Sequence, residues 1–242
     1  MLSWRWAGFL LPAQHAIGEG LNNMTNYIYC SRIDELSSEL LYSQRDYLDR
    51  DQRILFDRFR FDDDKRRSLL GRMLLRYALK KHEGYQSSHF PKLHYNRYGK
   101  PAVMGMKGGF NLSHAGSWAV CAYTTQGEIG VDVEKRVPIE IHDYQDVLTP
   151  EEFTQLAQGG NVDFFRLWSL KEAIIKADGR GFALSPTTFT LPHPFANGLT
   201  VDVAEKRWYL YSQDIGEEYV LSSASTSYET ALFSLAFDTL LA

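Results

Sequence analysis

Two cysteines in 242 residues, Cys30 and Cys121, are too few for a disulfide framework, and neither stands at a spacing from histidine that would build a zinc site. Cys121 lies inside the apolar run Trp118–Tyr123, where a free thiol behaves as a small buried hydrophobe. A reducing, cytoplasmic setting is therefore expected. A large charge of one sign is also missing. Lys and Arg number 26 against 30 Asp and Glu, and a net charge of −4 carries no footprint of a nucleic-acid binder. No segment has the run of about 20 apolar residues that a membrane span needs. The nearest approach, at the start, is broken by Arg5, stopped by Pro12 and followed by no small-residue cleavage site. Neither nucleic acid nor membrane is an expected partner. Met24 directly precedes the strand-like Asn26–Cys30, so residues 1–23 are expected to be a dispensable leader, with Met24 and Met1 as competing starts.

What is present suits a globular protein: 44% hydrophobic and 23% charged residues, in a length that fits one large domain or two halves sharing a core. A strand is expected at 26–31, amphipathic helices at 33–41 and 46–58, and a long helix over 65–79, where Leu69, Met73, Leu74 and Tyr77 recur at helical spacing. Strands follow at 110–113, 119–124 and 129–134. Thr149-Pro-Glu-Glu opens a helix over 150–158, a second runs from 163 to 177 and stops at Asp178-Gly179, and 187–239 reads mostly as short strands. Phe110–His114 followed by Trp118–Tyr123 resembles Tyr209–Gln213 followed by Glu218–Ser223, and each pair trails a long helix. The expected fold is α+β: two similar halves related by a pseudo-twofold, each a helix packed on a small antiparallel sheet. The halves are expected at 24–135 and 136–242, with the ligand in the cleft between them.

Three places concentrate chemistry. In Ile129-Gly-Val-Asp-Val-Glu134, strand alternation points Asp132 and Glu134 the same way, and two adjacent carboxylates repel unless a cation or proton sits between them. Oxygen ligands without Cys or His nearby select a hard cation, Mg2+ first. In Trp168–Gly181, Glu172 and Lys176 are one helical turn apart, and Gly179 and Gly181 let backbone approach a ligand. The third place is Phe110-Asn-Leu-Ser-His114 with the preceding Tyr98-Gly-Lys-Pro101. Taken singly, each has a plainer reading: a solvated strand face, an exposed i,i+4 ion pair, a structural histidine beside a turn lysine.

The four pieces in this order resemble the Sfp-type 4'-phosphopantetheinyl transferases, from about Phe59 to Leu191, and the helix around Arg67–Gly71 resembles that family too. The resemblance implies two α+β halves with coenzyme A in the cleft. It implies Asp132, Glu134 and Glu172 as ligands of Mg2+ (Mn2+ as its alternate) on the coenzyme's pyrophosphate. Arg67, Ser68, Lys100, Ser113 and His114 would hold the nucleotide portion and its 3'-phosphate. Lys171 falls in the coenzyme-binding set, and Lys176 would face the phosphates. A serine of an acyl or peptidyl carrier protein would attack the β-phosphate of coenzyme A and release 3',5'-ADP. Glu172, Glu152 or a metal-bound water would take the proton, and these alternatives stay open. One departure from the family stands in Asp51–Asp57, which offers only Arg53, with Arg58 and Arg60 beyond, where relatives have phosphate-binding lysines. The same acids would also serve a magnesium-dependent phosphohydrolase of coenzyme A, which would need no carrier. Arg66, Arg72, Arg76, Lys80 and Lys81 along the first long helix offer a basic face for an acidic carrier. A monomer is expected to suffice.

Overall fold

The computed structural model describes residues 25–159 and 162–241, so the expected leader and both start methionines lie outside the described residues. The chain begins with β1 (Asn26–Arg32), then α1 (Ser38–Arg45), α2 (Arg50–Asp57) and the long α3 (Asp62–Glu83). Ser37 and Asp49 accept backbone N–H groups to cap α1 and α2, and α3 stops at Gly84 in the left-handed conformation. Next come β2 (Leu93–Tyr95), β3 (Pro101–Val103), β4 (Gly109–Ala115), β5 (Trp118–Thr124) and β6 (Ile129–Lys135). Then follow α4 (Pro150–Ala157), α5 (Phe164–Asp178), β7 (Thr200–Val203), β8 (Lys206–Ile215), β9 (Tyr219–Ser225), β10 (Thr230–Ser234) and the short α6 (Phe237–Leu241). The α+β class is as expected.

The two larger sheets have the orders β10-β1-β5-β4 and β6-β9-β8-β7. The second is antiparallel throughout. In the first, β10 runs parallel to β1, a departure from the expected all-antiparallel sheet. The strand β6 pairs with β9 along its whole length, Ile129 opposite Ser225 and Lys135 opposite Tyr219, and so belongs to the second sheet. Conversely, β10 lies beyond that sheet in sequence and completes the first. A strand joins the neighbour whose side chains cover its faces, and that need not be the neighbour nearest in sequence.

Three cores result from strand alternation. Tyr27 and Tyr29 of β1 and Ala119, Cys121 and Tyr123 of β5 pack with Leu69, Leu70, Met73 and Leu74 of α3. The opposite faces of the same strands, Ile28, Cys30, Val120 and Ala122, meet Ile129, Val131 and Val133 of β6 and Leu221 of β9. A third cluster lies between α5 and the second sheet, around Leu170, Ile174, Trp208 and Leu210. Because Ile129, Val131 and Val133 fill the middle core, Gly130, Asp132 and Glu134 are turned toward α5. Gly130 is required there. A Cβ at that position would lie 2.0 Å from the Ala173 carbonyl oxygen and 2.5 Å from the Ala177 nitrogen. The helix therefore sits directly on the strand, and its last turns reach the carboxylates.

Candidate active site

The edge strands β4 and β6 meet through side chains. Asn111 Oδ1 accepts the Val131 N–H at 3.0 Å, and Ser113 Oγ accepts the Val133 N–H at 3.3 Å. These bonds satisfy the free edge of β6 and fix β4 against it. They also set the site, because Ser113 Oγ donates to Asp132 Oδ1 at 2.9 Å. From α5, Lys176 Nζ lies 2.5 Å from the same Oδ1 and 3.2 Å from Ser113 Oγ. Asp132 is 4% exposed, and its other oxygen, Oδ2, is buried without a hydrogen-bond partner. An orphaned carboxylate oxygen is costly, and a cation is the partner it suits best.

Glu134 and Glu172 complete the acid cluster. Burial raises Glu134 to about 7, Asp132 and Glu172 add to the rise, and Lys176 opposes it. Burial likewise raises Glu172, with Lys176 opposing and Asp132 adding. The three carboxylates thus feel one another's charge. Among the described residues no group of three or more acids, histidines or cysteines forms a ready-made metal cage. Lys176 at present neutralises Asp132. The donor set still fits a hard divalent cation: oxygen ligands, one of them orphaned, with more negative charge than one ammonium balances.

Arg67 reaches the turn after β4. Its Nη1 donates to the Gly116 carbonyl at 2.7 Å, and its Nη2 pairs with Asp64 at 2.8 Å. Ser68 beside it is half-buried on α3. Protein packed around the His114 ring, and then the Arg67 and Lys176 cations, hold that histidine below its usual range. Lys100 is engaged differently from the expected phosphate contact. Its Nζ donates to the Ala177 carbonyl, its stem lies across Gly179, and Asn96 donates to the Gly179 carbonyl at 3.0 Å. The 96–100 turn therefore closes the C-terminal end of α5.

Glu152 and Lys171 stand apart from the acid cluster. Glu152, 3% exposed, caps its own helix by accepting the Thr149 N–H at 3.0 Å, and it accepts the Leu191 N–H at 3.1 Å. Lys171, fully buried, lies 2.8 Å from Glu152 Oε2 and donates to the carbonyls of Pro186 and Phe189 at 2.6 and 2.7 Å. Burial pulls the Lys171 pKa down and Glu152 opposes it. Through the Pro186, Phe189 and Leu191 bonds the pair pins residues 186–191 to α4 and α5. Glu152, expected as a base, and Lys171, expected to hold the coenzyme, are thus engaged with each other and with backbone rather than with the acid cluster. Asn111 and Gly130 position the site without having been assigned a role, although both stood inside the motifs that pointed to it.

Residues 37–126 match the family described as 4'-phosphopantetheinyl transferase, N-terminal, and residues 128–224 match the 4'-phosphopantetheinyl transferase superfamily. The two matches meet where the chain passes from the first sheet into β6. A 4'-phosphopantetheinyl transferase of Bacillus subtilis is 31% identical over 173 residues, covering 68% of this chain and 76% of that protein. The 4'-phosphopantetheinyl transferase Sfp of the same species is 32% identical over 139 residues, 55% of this chain and 61% of Sfp. A phosphopantetheinyl transferase of a Thraustochytrium species is 31% identical over 166 residues, 60% of this chain and 57% of its own length. The chain belongs to the 4'-phosphopantetheinyl transferase superfamily.

Proposed function

We propose that this chain transfers the 4'-phosphopantetheine arm of coenzyme A to a serine hydroxyl of an acyl or peptidyl carrier protein, with release of 3',5'-ADP. The observation that carries this reading is the buried, unpartnered Asp132 Oδ2 on a carboxylate whose other oxygen holds Lys176. A carboxylate balanced in this way suits the meeting point of a cation and a polyphosphate. Asp132, Glu134 and Glu172 would hold Mg2+, or Mn2+ in its place. Bound there, the ion would draw negative charge from the pyrophosphate oxygens and from the departing 3',5'-ADP.

The remaining work falls to the chain's own residues. Phosphoryl transfer depends chiefly on positioning and charge neutralisation. Arriving phosphates compete with Asp132 for the Lys176 ammonium, which turns toward them and frees Asp132 Oδ1. Arg67, Ser68, Ser113 and His114 face the nucleotide portion, and Lys100 shapes the wall that α5 presents to it. Glu172 makes no hydrogen bond with a described residue, which leaves a carboxylate oxygen open to accept a proton. It takes the proton of the carrier serine as the serine oxygen bonds to the β-phosphorus, and the bond to 3',5'-ADP breaks. The chain works as a cytoplasmic monomer, and no described helix is long and apolar enough to cross a membrane.

The test is an intact-mass assay of an apo acyl carrier protein with coenzyme A and magnesium. A gain of one phosphopantetheine arm is expected with the wild type and only with magnesium present. With Asp132→Ala the transfer rate should fall at least about a hundredfold, the scale of losing one charge-stabilising group. Hydrolysis of coenzyme A without any gain on several carriers would overturn the reading in favour of a phosphohydrolase.

A further inference from the structure

Three residues of the basic face expected to receive a carrier are engaged within the fold, and Lys80 beside them is exposed. Arg66 donates to the Leu36 carbonyl and Ser38 and pairs with Asp63, Arg76 is buried against Phe90, and Lys81 lies over Tyr29, Tyr77 and Phe233. A different surface remains unpartnered. The helix α2 turns Gln52 and Phe56 inward and leaves Ile54 and Leu55 45% and 49% exposed. Phe59 and Phe61 follow at 38% and 61%, and Tyr42 of α1, 47% exposed, joins them beside the start of α3. Four large exposed hydrophobics within eight residues make a patch, whereas single ones are ordinary.

The charge around this patch is positive. Arg50, Arg53, Arg58 and Arg60 make no ion pair with a described residue, and Arg60 rests over the Phe61 ring. The nearby acids are neutralised. Asp57 is held by Arg45 at 2.5 Å, and Asp62, Asp63 and Asp64 each pair with the cation three residues on. Within 50–64, Asp51 is the acid left without a described partner. The patch also adjoins the site. Phe61 precedes Arg67 by six residues on α3, about 9 Å along the helix axis, and Arg67 is bonded to the turn that follows His114.

We infer that the apolar patch of Ile54, Leu55, Phe59 and Phe61, rimmed by Arg53, Arg58 and Arg60, docks an acidic helical face of the carrier protein and holds it while its serine reaches the acid cluster. This rests on the proposed transfer activity. The positive rim selects an acidic partner and speeds encounter, and the hydrophobic side chains supply the contact that lasts.

The test measures transfer by intact mass with the full chain, an apo acyl carrier protein and coenzyme A, varying each substrate separately. In Leu55→Asp/Phe61→Asp, KM for the carrier should rise tenfold or more, while KM for coenzyme A and the melting temperature stay within error. In Arg58→Glu/Arg60→Glu, the carrier KM should also rise and lose most of its dependence on salt. An unchanged carrier KM in both variants, with wild-type transfer intact, overturns the docking surface alone. A rise confined to the KM for coenzyme A also overturns it and would assign the arginines to the nucleotide. Wild-type self-association abolished by Leu55→Asp/Phe61→Asp would give the patch to a second copy of this chain. Failure of the wild type to modify any carrier overturns the transfer reading and the docking inference with it.

Discussion

Replacing Lys171 with methionine separates a structural lysine from a catalytic one. The side chain is fully buried against a carboxylate that is 3% exposed, and methionine fills nearly the same volume, so no cavity opens. The charge of Glu152 is then stranded, which costs about 3–5 kcal/mol. The Pro186 and Phe189 carbonyls lose their donor, at about 1–3 kcal/mol each where no water enters. A total of at least about 4 kcal/mol is expected against a whole stability of about 5–15 kcal/mol. Glu152→Gln strands the Lys171 cation in turn and sets an amide NH2 against the Thr149 N–H and the ammonium, so a loss of similar size is expected. The double variant should recover part of the sum, with a coupling of about 1–3 kcal/mol. Urea unfolding followed by tryptophan fluorescence measures all three, with Trp208 buried in the same core. The transfer rate is then taken per folded molecule at low temperature. If Lys171→Met unfolds within about 0.5 kcal/mol of the wild type, the level of a harmless surface change, and still loses transfer, the pair belongs to the chemistry and the structural reading is refuted.

Other expectations follow from the same geometry. Glu134 titrates near 7 in the folded chain against 4.5 unfolded, so its contribution to stability is present below 4.5 and is lost as pH rises through 7. That contribution is about 1–2 kcal/mol once partial exposure to solvent is allowed for. Magnesium should therefore raise the melting temperature more at pH 8 than at pH 5, and equal shifts at both would contradict the shared-cation site. Gly130→Ala should cost about 3 kcal/mol or more in urea unfolding and separate Lys176 from Asp132, because its Cβ would overlap the Ala173 carbonyl. A fully stable variant would show that the strand and helix are not held that close. His82 is pressed against Tyr27 and Tyr123 and bonded to the Tyr29 hydroxyl at 2.7 Å; burial, and then Lys81, lower it to about 4. Its folded value lies below its unfolded 6.5, so stability should fall as pH drops from 6.5 through 4, by about 1–2 kcal/mol after the same allowance for exposure. His82→Gln should be less stable at pH 8 and flatter over that window in urea titrations.

The acid cluster was legible because strand period and helix turn are local rules: Asp132 with Glu134, and Glu172 with Lys176, needed no knowledge of distant chain. The same rule places Lys171 about 100° around the helix from Glu172 and 140° from Lys176, which foreshadows its inward face. Its partner could not be read, because Glu152 lies on another helix and the bond depends on how α4 packs. Thr149 and Glu152 do carry the spacing of a capping box, so the claim of the helix terminus on Glu152 was open to local reading. Sheet membership was the least accessible. The partners of β6 and β10 lie about 90 and 200 residues away, and no nearby residue advertises them. The partial exposure of α2 was hidden for the opposite reason: alternating arginines and hydrophobics suit a packed amphipathic helix and an open docking face equally well.

The return of β10 to β1 has a consequence for how the protein is made. Chain growth on the ribosome delivers the whole second sheet by Ser225, while the first sheet still lacks its parallel edge strand. The half synthesised first is thus the half completed last. Until Thr230–Ser234 arrive, the outer edge of β1 is an open row of backbone donors and acceptors, and a chaperone that shields β-edges has its greatest effect in that interval.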